Sequence, residues 1–181
     1  MPDDTLRALQ DRTDAKIRYA AAHLGELHAL DSLDGGDFDR AHQESFLLQL
    51  WGTRDAFLLE LNAYYGAGLA SEAVTGGRLR GALEQKGWKS AELTELHRLE
   101  SAQDSWFSTL KALRDHISHV SAASRAYFLG GEDDHKVKLR DPRTGKEIAD
   151  DFRVEYGRWL QNMRELIACL RASAMKTCGI T

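Results

Sequence analysis

Leu110-Lys111-Ala112-Leu113-Arg114-Asp115-His116-Ile117-Ser118-His119-Val120 is the stretch on which the reading of this chain turns. Leu110, Leu113, Ile117 and Val120 recur at steps of three and four, the spacing of a buried helical stripe. Arg114, Asp115, His116 and His119 flank that stripe, so polar chemistry interrupts a core pattern here and nowhere else so densely. Followed backwards, the same phase runs through Trp106, Gln103, Leu99 and Leu96, which predicts one helix from about Trp88 to Val120.

Three further stripes extend the pattern. Leu6, Leu9, Thr13, Ile17, Ala20, Leu24 and Leu27 predict a helix from Thr5 to about Leu30, with Asp3, Asp4 and Thr5 offering capping oxygens. Asp34-Gly35-Gly36-Asp37 then breaks it. A second helix is expected from about Phe38 to Tyr65, its inward side including Phe46, Leu50, Trp51, Phe57 and Leu61. Arg54 falls inside that stripe, so it must reach solvent or pair with a carboxylate such as Glu60 or one on a neighbouring helix. Residues 66–87 carry six glycines and read as a long connection, within which Arg78 to Lys86 alone suit a short helix. A last helix is expected from about Asp150 to Lys176, with Tyr156, Trp159, Leu160, Met163, Leu166, Ile167 and Leu170 inward.

Between His135 and Ile148 the period changes to two. Val137 and Leu139 alternate with Lys136, Lys138 and Arg140 ahead of Asp141-Pro142-Arg143-Thr144-Gly145, the signature of a β-hairpin. The fold expected is all-α: one domain spanning 1–181, an antiparallel four-helix bundle with a small β-hairpin at about 135–148 inserted before the last helix.

Composition narrows the function classes. With 43% hydrophobic residues, 29% charged residues and only 2 prolines, the 181-residue chain suits a helix-rich globular protein. A net charge of -4 argues against coating nucleic acid non-specifically, which rests on many phosphate-neutralising cations, but leaves room for a local basic site. Cys169 lies within the apolar pattern of the last helix and reads as a buried thiol. With Cys178 as the only other cysteine there is no disulfide framework, and a reducing cytoplasm is expected. The N-terminus lacks a basic, then apolar, leader and no run of 18 apolar residues occurs, so neither export nor a membrane span is expected. No P-loop, dinucleotide-binding glycine fingerprint or nucleophile elbow is present.

Asp115 and His119, four residues apart, share a helix face, which lets the carboxylate orient the imidazole and raise its basicity. Arg114 points away from His119 by about 140°, at about 100° per residue, so one straight helix does not focus both on one phosphate. The segment Leu113-Arg114-Asp115-His116-Ile117-Ser118-His119 closely resembles the motif of the HEPN superfamily, an Arg, four to six residues, then a His at a helix end, with a polar residue directly after the Arg. Here those positions are Arg114, Asp115 and His119. HEPN domains are compact helical bundles with this motif on a late helix, and the matching frame covers most of the chain.

The resemblance implies a metal-independent endoribonuclease without cofactor, whose composite site forms between two copies of the chain. Attack by a ribose 2'-hydroxyl needs a base and an acid, and two His119 side chains would supply both. Arg114 would bind the scissile phosphate, with Asp115 orienting His119. His116, Arg125, Lys136, Lys138 and Arg140 are expected to bind substrate, and RNA is the expected partner. Toxin–antitoxin, defence or RNA-processing roles follow from the same resemblance. A second reading is a non-catalytic HEPN-like interaction module that pairs with a cognate antitoxin or a nucleotidyltransferase-type partner.

Lys136, Lys138, Arg140, Arg143 and Lys146 stand against Asp141 alone, so the hairpin is basic within an acidic chain. The same cations also suit protection of an exposed strand edge. No aromatics interleave with them, so no base-stacking platform is expected. The seven histidines, His23, His28, His42, His97, His116, His119 and His135, raise a third reading, a metal-dependent bundle enzyme in which His116 and His119 share a metal with His23 or His42. No metal ligand is assigned on that spacing. Trp51, Trp106 and Trp159 fall on core stripes and read as packing.

Overall fold

The computed structural model describes residues 2–30, 37–119, 125–127 and 137–180. It is mostly helical, with a small antiparallel sheet ahead of the last helix. The helices are α1 (Pro2–Ala29), α2 (Asp37–Tyr64), α3 (Gly76–Gln85), α4 (Ala91–Ser101), α5 (Trp106–His119) and α6 (Phe152–Cys178), with a 3-10 turn at Ser71–Ala73. The strands are β1 (Arg125–Tyr127), β2 (Val137–Arg140) and β3 (Glu147–Ala149).

The α2 helix is the spine, because α1, α3, α5 and α6 all pack on it. Cross-contacts give the directions. Gln10 bonds Tyr64, Lys16 bonds Gln49 and His23 meets His42, so α1 and α2 run antiparallel. Phe46 stacks on Tyr156 while Glu60 holds Arg171, so α2 and α6 run parallel. The core between them holds Phe46, Phe57, Leu61, Phe152, Tyr156 and Trp159, all buried. Large apolar side chains in that position supply most of the driving force, about 1.5–3 kcal/mol each.

The long helix expected over Trp88 to Val120 is two helices. Ala102 is extended, at ψ 109°, and Ser105 caps the restart. Ser105 Oγ accepts from the Ser108 amide at 3.0 Å and donates back to the Leu99 carbonyl at the end of α4. A serine able to satisfy both helix ends competes with the helical backbone, which is why Ser101-Ala102-Gln103-Asp104-Ser105 breaks although the apolar phase survives it. Gln103, expected inward, is exposed. The glycine-rich connection contains a ten-residue helix, α3, started by Thr75 accepting from the Arg78 amide. Cys169 is exposed, contrary to the buried thiol expected, because the inward positions of α6 are Met163, Ile167, Leu170 and Ala174.

The hairpin is present as β2–β3, and β1 adds a third strand in register Arg125↔Leu139. Its turn closes through Asp141 N to Lys146 O at 2.9 Å and Gly145 N to Asp141 O at 2.8 Å, with Gly145 at φ +69°, a conformation that suits glycine. Leu139 is buried, as the alternation predicts. No helix among the described residues is long and apolar enough to cross a membrane.

Two buried polar networks tie the helices together. Arg171 on α6 makes a bidentate pair with buried Glu60 on α2, both contacts at 2.9 Å, and reaches Asp14 on α1 at 2.9 Å. Burial disfavours the Arg171 cation, and the two carboxylates more than offset it, so its pKa lies above the ordinary arginine value. Close by on the same stretch of α6, buried Glu92 on α4 accepts from Tyr65 and Ser90, each at 2.7 Å, and from Ser173 on α6. Burial works against the Glu92 carboxylate, but the hydroxyl donors hold it below the usual range. Burial and the Glu92 contact push the Tyr65 phenol up to about 12.

Candidate functional site

Arg114, Asp115 and His116 lie in the second half of α5, and the helix ends at His119. The His119 and Arg125 side chains and all of Lys136 lie outside the described residues. Arg114 turns toward α2, where its guanidinium carbon sits 4.9 Å from the centroid of the Trp51 ring. Trp51 is nearly buried and braced by Phe107 at 5.3 Å. Arg114 Nη1 contacts Asp115 Oδ1 at 3.0 Å, and its buried Nε has no hydrogen-bond partner. The remaining donors of the five-N–H fork are therefore not consumed by that ion pair.

Arg54 adds a second cation to the same indole, 5.5 Å from the centroid. It pairs with Glu100 at 2.7 Å and with Asp55 at 2.8 Å, so the carboxylate from a neighbouring helix is Glu100 of α4, while Glu60 serves Arg171. A Cβ on Gly76 would lie 3.0 Å from Arg54 Nη2, so the N-terminus of α3 packs closely against this guanidinium.

The other side of α5 faces an open cleft of about 500 Å³. Lys111, Asp115 and His116 line it from α5, Glu100 from the end of α4, and Pro142 with Arg143 from the hairpin turn. Arg143 fixes that wall. Its guanidinium bonds Asp141, the hydroxyls of Ser108 and Thr109 and the Gln103 carbonyl, all within 3.2 Å, and the Asp141 contact raises the Arg143 pKa. A second, more enclosed cleft of about 260 Å³ lies beyond Glu100, lined by Arg54, Arg80 and His97. Glu100 thus walls both clefts.

The fold brings Arg114, Asp115 and His116 to one helix end, with Asp115 bridging the Trp51-stacked arginine and the cleft. It does not deliver all the expected substrate-binding cations to the cleft. Lys138 is committed to Glu147 at 2.9 Å and Asp150 at 3.6 Å, which raise its pKa, and Arg140 is exposed on β2 and does not line the cleft. Lys111, Glu100 and Trp51 were not legible as site residues. Trp51 and Arg54, three apart on α2, gave the one usable signal, a cation inside a core stripe. Of the histidines, His23 and His42 meet across the α1–α2 seam with Nδ1 atoms 3.1 Å apart, whereas His116 faces the cleft. Among the described residues no three His, Cys, Asp or Glu side chains gather as a metal site.

No protein-family model, no curated protein and no solved structure matches the chain.

Proposed function

We propose that the protein is a helical RNA-acting enzyme of the bundle type, in which α4 and α5 together take the place of one helix beside α1, α2 and α6. More narrowly, it is a HEPN-like endoribonuclease that works as a homodimer without metal. The observation that carries this reading is the seating of Arg114: a half-buried guanidinium stacked on Trp51 and paired with Asp115, which itself lines the cleft on the other side of α5, with donors to spare. Such a cation is oriented in advance yet not neutralised by a full set of partners, which is what binding a scissile phosphate requires.

In the reaction, one His119 takes the proton of the ribose 2'-hydroxyl while O2' bonds to phosphorus. The bond to O5' breaks, and the partner copy's imidazole gives O5' its proton. The products are a 2',3'-cyclic phosphate and a 5'-hydroxyl. Arg114 holds the non-bridging oxygens as charge gathers on them. Asp115 acts first on Arg114, through the 3.0 Å contact, rather than on His119 alone.

The test is cleavage of a pool of single-stranded and structured RNAs in chelator, with product ends identified. Wild-type protein is expected to release cyclic-phosphate ends, and His119→Ala to lose at least about 100-fold in rate while keeping its helicity. Equal cleavage by wild type and His119→Ala overturns the assignment. A cognate antitoxin or a nucleotidyltransferase-type partner remains the reading if wild-type protein binds RNA or partner without cleaving.

A further inference from the structure

The ribonuclease reading leaves one basic surface unused. Between residues 76 and 90 the chain carries Arg78, Arg80, Lys86 and Lys89 against Glu84 alone, within a protein of net charge -4. Unlike the cations of the hairpin, these have an aromatic among them, because Trp88 stands between Lys86 and Lys89. The Trp88 side chain is 40% exposed. Its place is set by a left-handed glycine cap at the end of α3: Gly87, at φ +78°, donates to the Glu84 carbonyl at 3.0 Å, and the Trp88 amide donates to the Leu83 carbonyl at 2.9 Å. The indole then meets the Tyr65 ring at 68°, with centroids 5.5 Å apart. A ring fixed by a cap and braced on a neighbour loses little freedom when a flat partner docks on it.

The surface around that ring is concave. A hollow of about 310 Å³ between α3 and α4 is lined by Arg80, Glu84, Trp88, Lys89 and Leu93. It shares Arg80 and Leu93 with the more enclosed cleft of about 260 Å³, whose walls include His97 and Glu100. The two hollows form one groove along α4, roughly 15 Å from Ser90 to Glu100 at about 1.5 Å per residue, and Arg80 stands between them. Arg80 gives one N–H to the Leu93 carbonyl at 3.4 Å, and among the described residues neither Arg80 nor Lys89 forms an ion pair. Arg54, by contrast, is committed to Glu100.

We infer that the α3–α4 groove is a docking site for single-stranded RNA, in which one unpaired base stacks on Trp88 while Arg80 and Lys89 take the adjoining phosphates. An exposed indole between unspent cations matches the two features every nucleotide presents, a π face and a phosphate, whatever the base. A duplex hides its base faces and gains only the phosphate contacts. The groove ends at Glu100, which also walls the α5 cleft, so a strand seated on Trp88 leads toward His116 and Arg143. The inference rests on the ribonuclease reading for the choice of polymer and not for the contacts.

The experiment is fluorescence-anisotropy titration of the full chain against a single-stranded 2'-O-methyl RNA of about ten nucleotides, which lacks the attacking hydroxyl and so reports binding without cleavage. Saturable binding by the wild type is expected, with a loss of about 10-fold in affinity in Trp88→Ala. Arg80→Ala is expected to lower the slope of log K against log salt by about 0.7, the share of one phosphate contact, and Arg164→Ala, an exposed cation on α6, to stay within about twofold of the wild type. The absence of saturable binding, or equal affinity in Trp88→Ala, overturns the site, and an unchanged slope in Arg80→Ala overturns its phosphate contact. Should Trp88→Ala lose helicity, the wild type decides: it is expected to bind the same backbone without bases about 10-fold more weakly, and equal affinity overturns the stacking. Binding of anionic phospholipid vesicles in place of the oligonucleotide overturns the proposal and assigns the patch to a membrane surface. Cleavage of RNA by the wild type with unchanged binding in Trp88→Ala removes the groove and leaves the nuclease, whereas Trp88-dependent binding without cleavage supports the groove and overturns the nuclease.

Discussion

Arg171 and Arg114 are two half-exposed arginines held by carboxylates, and they differ in how their donors are spent. Arg171 divides its fork between Glu60 and Asp14 and joins α1, α2 and α6, its partner Glu60 carrying no exposed side-chain surface. Arg114 has one carboxylate, Asp115, which is 43% exposed, and an indole beneath it. A cation with all its partners built in is part of the architecture. One that is oriented but left partly unspent has the properties of a binding group.

The two arginines are expected to differ most in what they contribute to stability. Arg171→Ala leaves Glu60 buried and unpaired and is expected to cost about 3–5 kcal/mol, read as a lowered denaturant midpoint. Arg114→Ala removes a partly exposed pair and one cation–π contact, and is expected to cost about 1 kcal/mol or less. If Arg114→Ala proves as costly as Arg171→Ala, the two arginines play the same structural part and the functional reading of Arg114 fails. Next in size, Glu92→Gln removes a buried charge that accepts three hydroxyls, and about 1–3 kcal/mol is expected to go with it.

Smaller effects separate the two ends of the molecule by pH. The folded-state pKa of Glu92 lies below the ordinary glutamate value of 4.5, so its contribution is present above that pH and is lost as pH falls through the lowered value. His23 has a folded-state pKa below 6.5, so the unfolded chain binds its proton more readily and stability declines as pH drops below about that point. Thermal melts just below pH 6.5, above the Glu92 window, are expected to show a shallow loss in wild type that disappears in His23→Gln. An unchanged slope in that variant contradicts the assignment of the loss to His23.

Sequence patterning was most informative where a side chain's role follows from its neighbours in the chain. The stripes of α1, α2 and α6 and the Pro142–Gly145 turn are of this kind, and the helices formed within a few residues of their expected ends. The break at Ala102 was illegible because a Ser105 cap leaves the apolar phase intact, and periodicity counts phase rather than hydrogen bonds. Cys169 was misread because an apolar run does not say which of its members faces in. At the site, Arg114, Asp115 and His116 were identifiable from the motif, but Trp51, Glu100 and Lys111 come from tertiary contact between α2, α4 and α5. The Arg171–Glu60 pair spans more than a hundred residues and leaves no local signature.

The most direct test of the central claim is single-turnover RNA cleavage in chelator by wild type, Arg114→Ala and Lys138→Ala, each checked for helicity. Cyclic-phosphate products from wild type, their loss by at least about 100-fold in Arg114→Ala and a rate within about threefold of wild type in Lys138→Ala are the expected results. Cleavage undiminished in Arg114→Ala would contradict the assignment of the Trp51-stacked arginine to the scissile phosphate.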